Sequence, residues 1–332
     1  MKQKIVTLGE VMMRLQADGF AKLDQTRNLN IVYGGGEANV AISLAHFGFE
    51  AAHVTRFPDN LLGRGAIKFM REHLLDTSPI LLGGDRLGLY FVENGASMRA
   101  SQIVYDRFGS AFSQIKTGMI DWESVLSGAT WFHWAGITPA LSQGAADVCL
   151  EAVKMAKKLN ITVSADIFYR SNLWNYGKRP SEVLPELTQY TDIVIANQDN
   201  IKTIFGIEND SFVDACQKLK VVYPNIKKIA DTQRTSVSAS HNLLKATLWN
   251  GSQLLETQNI EINPIIDRIG GGDAFIAGLI YGLTELDNEQ TALDFAVAAS
   301  ALKHTIEGDA NLADVPTVMA IVNGDVGGRL RR

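Results

Sequence analysis

A chain of 332 residues with 46% hydrophobic and 20% charged positions is long enough to bury its own core and too apolar to be disordered. With 31 basic against 36 acidic residues, a net charge of −5 and no block of like charges, neither nucleic acid nor an anionic membrane is expected as a partner. No apolar run reaches membrane-spanning length, the start Met1-Lys2-Gln3-Lys4 lacks a signal peptide's apolar region, and Cys149 and Cys216 lie on separate helix-like segments, so a cytoplasmic protein with two reduced thiols is expected.

The first strand is expected over residues 5–9, followed by two short β-like segments, 11–15 and 29–33, around a polar stretch. Gly34, Gly35 and Gly36 then open a helix that runs to His46 and stops at Gly48, a natural cap. Strand 51–55, helix 61–73 and a short strand at 80–82 continue the alternation. Between 86 and 112 the pattern changes to strands at 88–93 and 102–106 with a polar turn at Glu93-Asn94-Gly95. The pieces 11–33 and 86–112 are expected to join in one small antiparallel β lid.

Strand 130–135 leads to a helix over 142–159, on which Ala145, Val148, Cys149, Ala152, Val153, Ala156 and Leu159 form one apolar stripe. Trp131, His133 and Trp134 on that strand read as core packing. Buried-type strands 161–165 and 192–195 end in polar residues, Asp166 to Arg170 and Asn197 respectively. Ligands collect at such carboxyl ends in parallel α/β sheets. Helices 198–205, 212–219, 288–304 and 315–322, with β segments 227–230, 236–240 and 246–250, complete a single domain over 1–332. The fold class is α/β: a doubly wound, mostly parallel sheet flanked by helices, with the small β lid inserted.

A β-branched segment, 262–266, runs into Asp267-Arg268-Ile269-Gly270-Gly271-Gly272-Asp273, and a helix follows from Ala274. Three glycines bring backbone close to a ligand, and a helix N-terminus presents unpaired N–H groups, so the turn can hold an anion. Asp273 can cap the helix or accept a proton from an attacking hydroxyl. Gly34, Gly35 and Asn39 form either a tight turn with an Asn cap or a contact for a polyol. Arg107, beside Tyr105 in the lid, and Arg170, past a strand end, are either surface arginines or planar forks for a carboxylate or phosphate. No G-x-G-x-x-G, Walker motif, zinc-spaced Cys/His cluster or G-x-S-x-G elbow is present, which excludes those chemistries as first readings.

The stretch Gly34-Gly35-Gly36-Glu37-Ala38-Asn39-Val40-Ala41 resembles the N-terminal signature of the PfkB (ribokinase-like) carbohydrate kinases, and 267–273 resembles their C-terminal D-T-x-G-A-G-D signature. Within that family, Gly88-Leu89-Tyr90, Tyr105-x-Arg107, residues 136–141, Tyr169-Arg170 and residues 238–242 are most similar to 2-keto-3-deoxygluconate kinases. The resemblance implies an ATP- and Mg²⁺-dependent enzyme that phosphorylates the terminal hydroxyl of a keto-deoxy sugar acid, giving 2-keto-3-deoxy-6-phosphogluconate. It implies Asp273 as general base, with Gly270, Gly271 and Gly272 as anion hole. Gly34, Gly35, Asn39, Tyr90, Tyr105, Arg107, Arg170 and Asp309 would hold substrate, and Asn197 with Gly270 and Gly272 the nucleotide. Three departures stand out: Arg268 replaces the signature's Thr, Asn197-Gln198-Asp199-Asn200 replaces N-x-x-E and leaves the metal ligands open, and a glycine motif is missing from 230–236. A neutral-sugar kinase such as a fructokinase, or a non-catalytic sugar-acid-binding protein of this fold, are the alternatives. A homodimer through the lid edges is expected.

Overall fold

Along β1 (Lys4–Leu8) successive side chains fall into different cores, Ile5 on one face of a sheet and Val6 on the other. Such two-sided burial is what a continuous apolar strand encodes. The structure, a computed structural model, describes residues 3–170, 172–325 and 327. After β1 come β2 (Met12–Ala17), β3 (Leu29–Gly34), α1 (Gly36–His46), β4 (Glu50–Val54), α2 (Leu61–Glu72), β5 (Leu89–Glu93) and β6 (Gln102–Asp106). The middle of the chain supplies β7 (Ala129–Ala135), α3 (Gln143–Lys158), β8 (Thr162–Asp166), α4 (Pro180–Thr188), β9 (Ile193–Ile195), α5 (Gln198–Phe205) and α6 (Phe212–Val222). The last third holds β10 (Lys228–Ser238), β11 (His241–Trp249), β12 (Leu254–Glu256), β13 (Ile260–Ile262), α7 (Gly271–Glu285), α8 (Glu289–Lys303) and α9 (Val315–Val322).

The main sheet has the order β12-β11-β10-β9-β8-β7-β1-β4, with β13 also on β11. It is parallel from β4 to β10 and antiparallel beyond. Helices α1, α7, α8 and α9 bury their apolar sides on the face that Ile5 joins, and α3 to α6 on the face that Val6 joins. The doubly wound α/β reading therefore holds. Both cysteines are buried and free, and no helix among the described residues is long and apolar enough to cross a membrane.

The small sheet combines the two predicted pieces in the order β3-β2-β5-β6, but it is not antiparallel throughout. Its central pair, β2 with β5, is parallel, Met13 opposite Leu89. Within each piece the chain folds back on itself and its two strands pair antiparallel, but the two pieces enter the sheet in the same direction. A second correction concerns 262–266: the strand ends at Ile262, and Pro264, which has no N–H to give a ladder, starts the departure. The backbone N–H groups of Ile266 and Asp267 then both donate to the carbonyl of His304, at 2.8 and 3.2 Å, so the glycine turn hangs from the end of α8. Two of the three expected β segments merge as well. Residues 228–238 form one long strand paired with β11, and the turn between them reaches the connection between β5 and β6 through Ala239 N–H to Ser97 O, 2.8 Å. Exposed Thr and Ser along this strand read as loop in the sequence, although Thr is β-prone. Helix α4 was not anticipated because Pro180 and Pro185 disguise it; Pro is permitted in a first turn.

Candidate active site

Two helix N-termini meet at the carboxyl end of the main sheet, and glycine makes the meeting possible. Gly270 holds φ +84° as the residue before α7, and a Cβ on it would lie 1.7 Å from the carbonyl oxygen of Asp309. Gly34 is equally confined, because a Cβ there would fall 2.0 Å from Asp309 Oδ2. Gly272 differs: nothing lies within 4 Å of its missing side chain, so the first turn of α7 opens onto the cleft. Asp273 does not cap α7. Its Oδ2 accepts a hydrogen bond from Asn39 Nδ2 at 2.7 Å, and Oδ1 sits 3.4 Å from the space a Cβ on Gly36 would occupy. Asn39 thus orients the acid from the first turn of α1, while its own Oδ1 accepts from Gly35 N–H at 3.4 Å.

The cleft measures about 520 Å³ and all the sequence-predicted site residues line it, from Gly34, Gly35 and Asn39 through Tyr90, Tyr105, Arg107 and Arg170 to Asn197, the three glycines, Asp273 and Asp309. Several are already engaged. Arg107, on the segment after β6, donates through Nε and Nη2 to Glu10 Oε2 at 2.8 and 2.5 Å. Its neighbour Tyr105 is half exposed and its ring stacks on Tyr90 with centroids 6.0 Å apart. Tyr90 donates its hydroxyl to Asp309 Oδ2, while Arg14 Nη1 donates to Asp309 Oδ1 at 2.6 Å. Both oxygens of Asp309 are therefore taken. Arg170 lies past the end of β8 with its guanidinium 5.1 Å from the Phe168 ring centre, exposed at the cleft mouth. Asn197 Oδ1 caps α5 by accepting from Asn200 N–H at 2.7 Å.

Sequence reading assigns no role to Glu10, Arg14, Glu37, Asp166 or Asp231, although Asp166 stands at a predicted strand end and Glu37 within the glycine signature. Position offered a signal for two of them: Glu10 follows β1 and Asp166 ends β8, both at carboxyl ends where ligands gather. Arg14 follows Met12 and Met13 on β2, and it is fully buried between Asp267 and Asp309. His133 is core packing as expected, its Nδ1 2.8 Å from Ser164 Oγ, which also accepts from Trp131 Nε1. Burial pushes this imidazole down to about 3, so it is neutral at physiological pH.

The acids of the cleft share a low-dielectric space, which disfavours their charged forms. Desolvation pushes Asp273 up to about 7, against the Asn39 hydrogen bond, with Asp309 adding repulsion and Lys303 and Arg170 opposing it. Burial, then the charges of Asp273 and Glu37, raise Asp166 to about 8. Glu37, buried under Thr138, is raised to about 7 by desolvation, and Asp231 to about 6 by desolvation. Among the described residues no three His, Cys, Asp or Glu side chains gather as a ligand set for a metal ion.

The pfkB family carbohydrate kinase model matches residues 2–316. The 2-dehydro-3-deoxygalactonokinase of Haloferax volcanii is 27% identical over 326 residues, which span 98% of this chain and 98% of that protein. The crystal structure of 2-dehydro-3-deoxygluconokinase from Thermotoga maritima superposes with a TM-score of 0.92 at 38% identity, covering 97% of this chain and 100% of that one. Fructokinase from Xylella fastidiosa with bound ATP shares the fold, with a TM-score of 0.80 at 20% identity over 98% of this chain and 99% of that one.

Proposed function

The chain belongs to the pfkB family of carbohydrate kinases, and from that premise we propose that it moves the γ-phosphoryl group of ATP onto the terminal hydroxyl of a 2-keto-3-deoxy sugar acid, 2-keto-3-deoxygluconate giving 2-keto-3-deoxy-6-phosphogluconate. One observation carries the reading: a proton acceptor, Asp273, beside an open helix N-terminus shares a cleft with Arg107 and Arg170 on the side of Tyr90 and Tyr105. A neutral sugar has no use for this pair, whereas a carboxylate matches the fork of Arg170 and the Nη1 that Glu10 leaves on Arg107. Similarity to two keto-deoxy sugar kinases supports the same substrate class.

Asp273 takes the hydroxyl proton as the substrate oxygen forms its bond to the γ-phosphorus and the bond to the ADP oxygen breaks. Charge on the transferred group falls on the N–H groups of the 270–272 turn, since phosphoryl transfer is chiefly positioning and charge stabilisation. A carboxyl raised to about 7 is a better base than an ordinary one and is still half ionised near neutrality. Glu10 fixes Arg107 and leaves its Nη1 for the substrate. Tyr90 and Tyr105 wall the sugar, Asp309 supports that wall, and Asn197 keeps its amide hydrogens for the nucleotide. Mg²⁺ that arrives with the nucleotide would be held by phosphate oxygens, water, Asp166 and Asp231, and would neutralise phosphate charge. The raised pKa values of those two acids fit this, because an adjacent cation would offset the burial that raises both and the repulsion each feels from neighbouring acids.

An ADP-release assay across keto-deoxy sugar acids, gluconate, fructose and ribose tests the assignment. Turnover of the keto-deoxy acids should dominate; fructose or ribose turned over as fast would remove the acid-sugar reading, and sugar-acid binding without ADP release would remove catalysis. Arg170→Ala is expected to raise KM for the acid roughly tenfold or more, the worth of a charge-assisted hydrogen bond, with KM for ATP little changed. It is the cleaner of the two arginine tests, because Arg107→Ala also strands Glu10 in the cleft wall.

The small sheet is proposed as the lid, and its outer face as the meeting surface of two copies. Leu15, Ile31, Phe91 and Val104 align across its four strands, with Ile31 59% and Val104 54% exposed. An apolar row of this kind is normally covered. Sedimentation velocity should show a dimer, and a monomer at every concentration would remove it.

A further inference from the structure

Arg268 stands two residues before Gly270, and Arg234, on β10, lines the same cleft. Neither has a carboxylate within ion-pair distance among the described residues, whereas Arg14 and Arg107 are both matched by acids. Arg268 is half-buried and held in place: its Nη2 donates to the Ala239 carbonyl at 2.9 Å, while its Nε is buried with no partner. The two guanidinium groups act on one another, burial first and then the Arg234 charge lowering the pKa of Arg268. Both also bear on His304, whose ring packs under the turn, with Cε1 only 2.4 Å from the space a Cβ on Gly271 would fill. Two like charges and a helix N-terminus are thus assembled around one open volume, and among the described residues neither guanidinium is in direct contact with any of the cleft's acids. Such an arrangement costs stability unless a ligand supplies several neighbouring anionic oxygens.

We infer that Arg234 and Arg268 form a two-arginine grip for the polyphosphate of the nucleotide, beside the backbone N–H groups of the turn. The inference deepens the kinase reading and rests on it. The carboxylate of the sugar acid is already provided for by Arg107 and Arg170. A di- or triphosphate presents anionic oxygens to both arginines at once. The grip also accounts for Arg268 at a signature position where the family pattern has Thr, and for a strand rather than a glycine motif at 230–236.

Calorimetric titration of the full chain with the β,γ-imido analogue of ATP, with ADP and with AMP tests this without turnover. For Arg268→Ala, Kd for the triphosphate analogue and for ADP should rise about tenfold or more; for Arg234→Ala, about three- to tenfold, because Arg234 is the more exposed. Neither variant should change the weak binding of AMP or the Kd for the sugar acid, and Arg268→Lys should recover part of the loss. The wild-type affinity for the analogue should fall more steeply with salt than that of either variant. Triphosphate binding within twofold of wild type in both Ala variants would overturn the grip and leave the kinase reading intact. Equal loss for AMP would overturn it too, since the arginines would then act through the base pocket or the fold. Failure of the wild-type chain to bind any nucleotide would instead bring down the kinase reading together with the grip.

Discussion

Asp273→Asn is expected to lower kcat by roughly 10²–10⁴-fold, the usual contribution of a positioned general base, with KM for both substrates little altered. The amide is nearly isosteric and lies against Asn39 as the carboxylate does, so geometry survives while the proton acceptor is lost. Acidity sharpens the test. With Asp273 pushed up to about 7 by desolvation, the base of the free enzyme is protonated at low pH. The kcat/KM value should therefore rise through about pH 7 and level off above it, and the Asn variant should lose that limb. The stability effect runs the other way. A native state that holds a proton the unfolded chain releases near its ordinary carboxyl pKa gains this contribution fully at low pH, and loses it as pH rises through about 7. Glu37, raised to about 7 by burial, adds to the same trend. A kcat near wild type in the Asn variant would reduce Asp273 to a helix-terminus residue.

Arg14→Met should be the most damaging change to stability, on the order of 3–5 kcal/mol, because removing one member of a buried ionic cluster leaves the others without compensation. Arg14 has no exposed surface, and its two arms reach Asp267 Oδ2 and Asp309 Oδ1, each at 2.6 Å. Asp267 in turn accepts from Ile269 N–H at 3.0 Å and Gly308 N–H at 3.2 Å. Asp309 abuts Gly270 with its carbonyl and receives the Tyr90 hydroxyl. One side chain on a strand of the small sheet thereby sets both flanks of the glycine turn. Urea unfolding at pH 8 should show the loss. A variant within about 1 kcal/mol of wild type at pH 8 would mean that water already serves these carboxylates.

Much of this was legible along the chain. Strand and helix faces follow from apolar spacing, and the glycine clusters announce two helix entrances at the ligand-bearing end of a parallel sheet. The residues proposed to carry chemistry there, Asp273, Arg107 and Arg170, could be named, and all three line the cleft. Local information failed where prolines disguised α4, where polar β10 read as loop, and where strand direction depended on how two separate insertions meet. It failed again for the partners of charged groups.

What the sequence by itself determined is the layered α/β architecture, the positions of the two glycine entrances and the identity of the candidate base, because backbone preference and hydrophobic period are set within a few neighbouring residues. Only the tertiary structure decided that Asn39 would orient Asp273, that Glu10 would hold Arg107, and that Arg14 would join Asp267 and Asp309 from 253 and 295 positions away. A buried charge is neutralised by whichever opposite group folding delivers within hydrogen-bond reach, and sequence distance does not enter Coulomb's law.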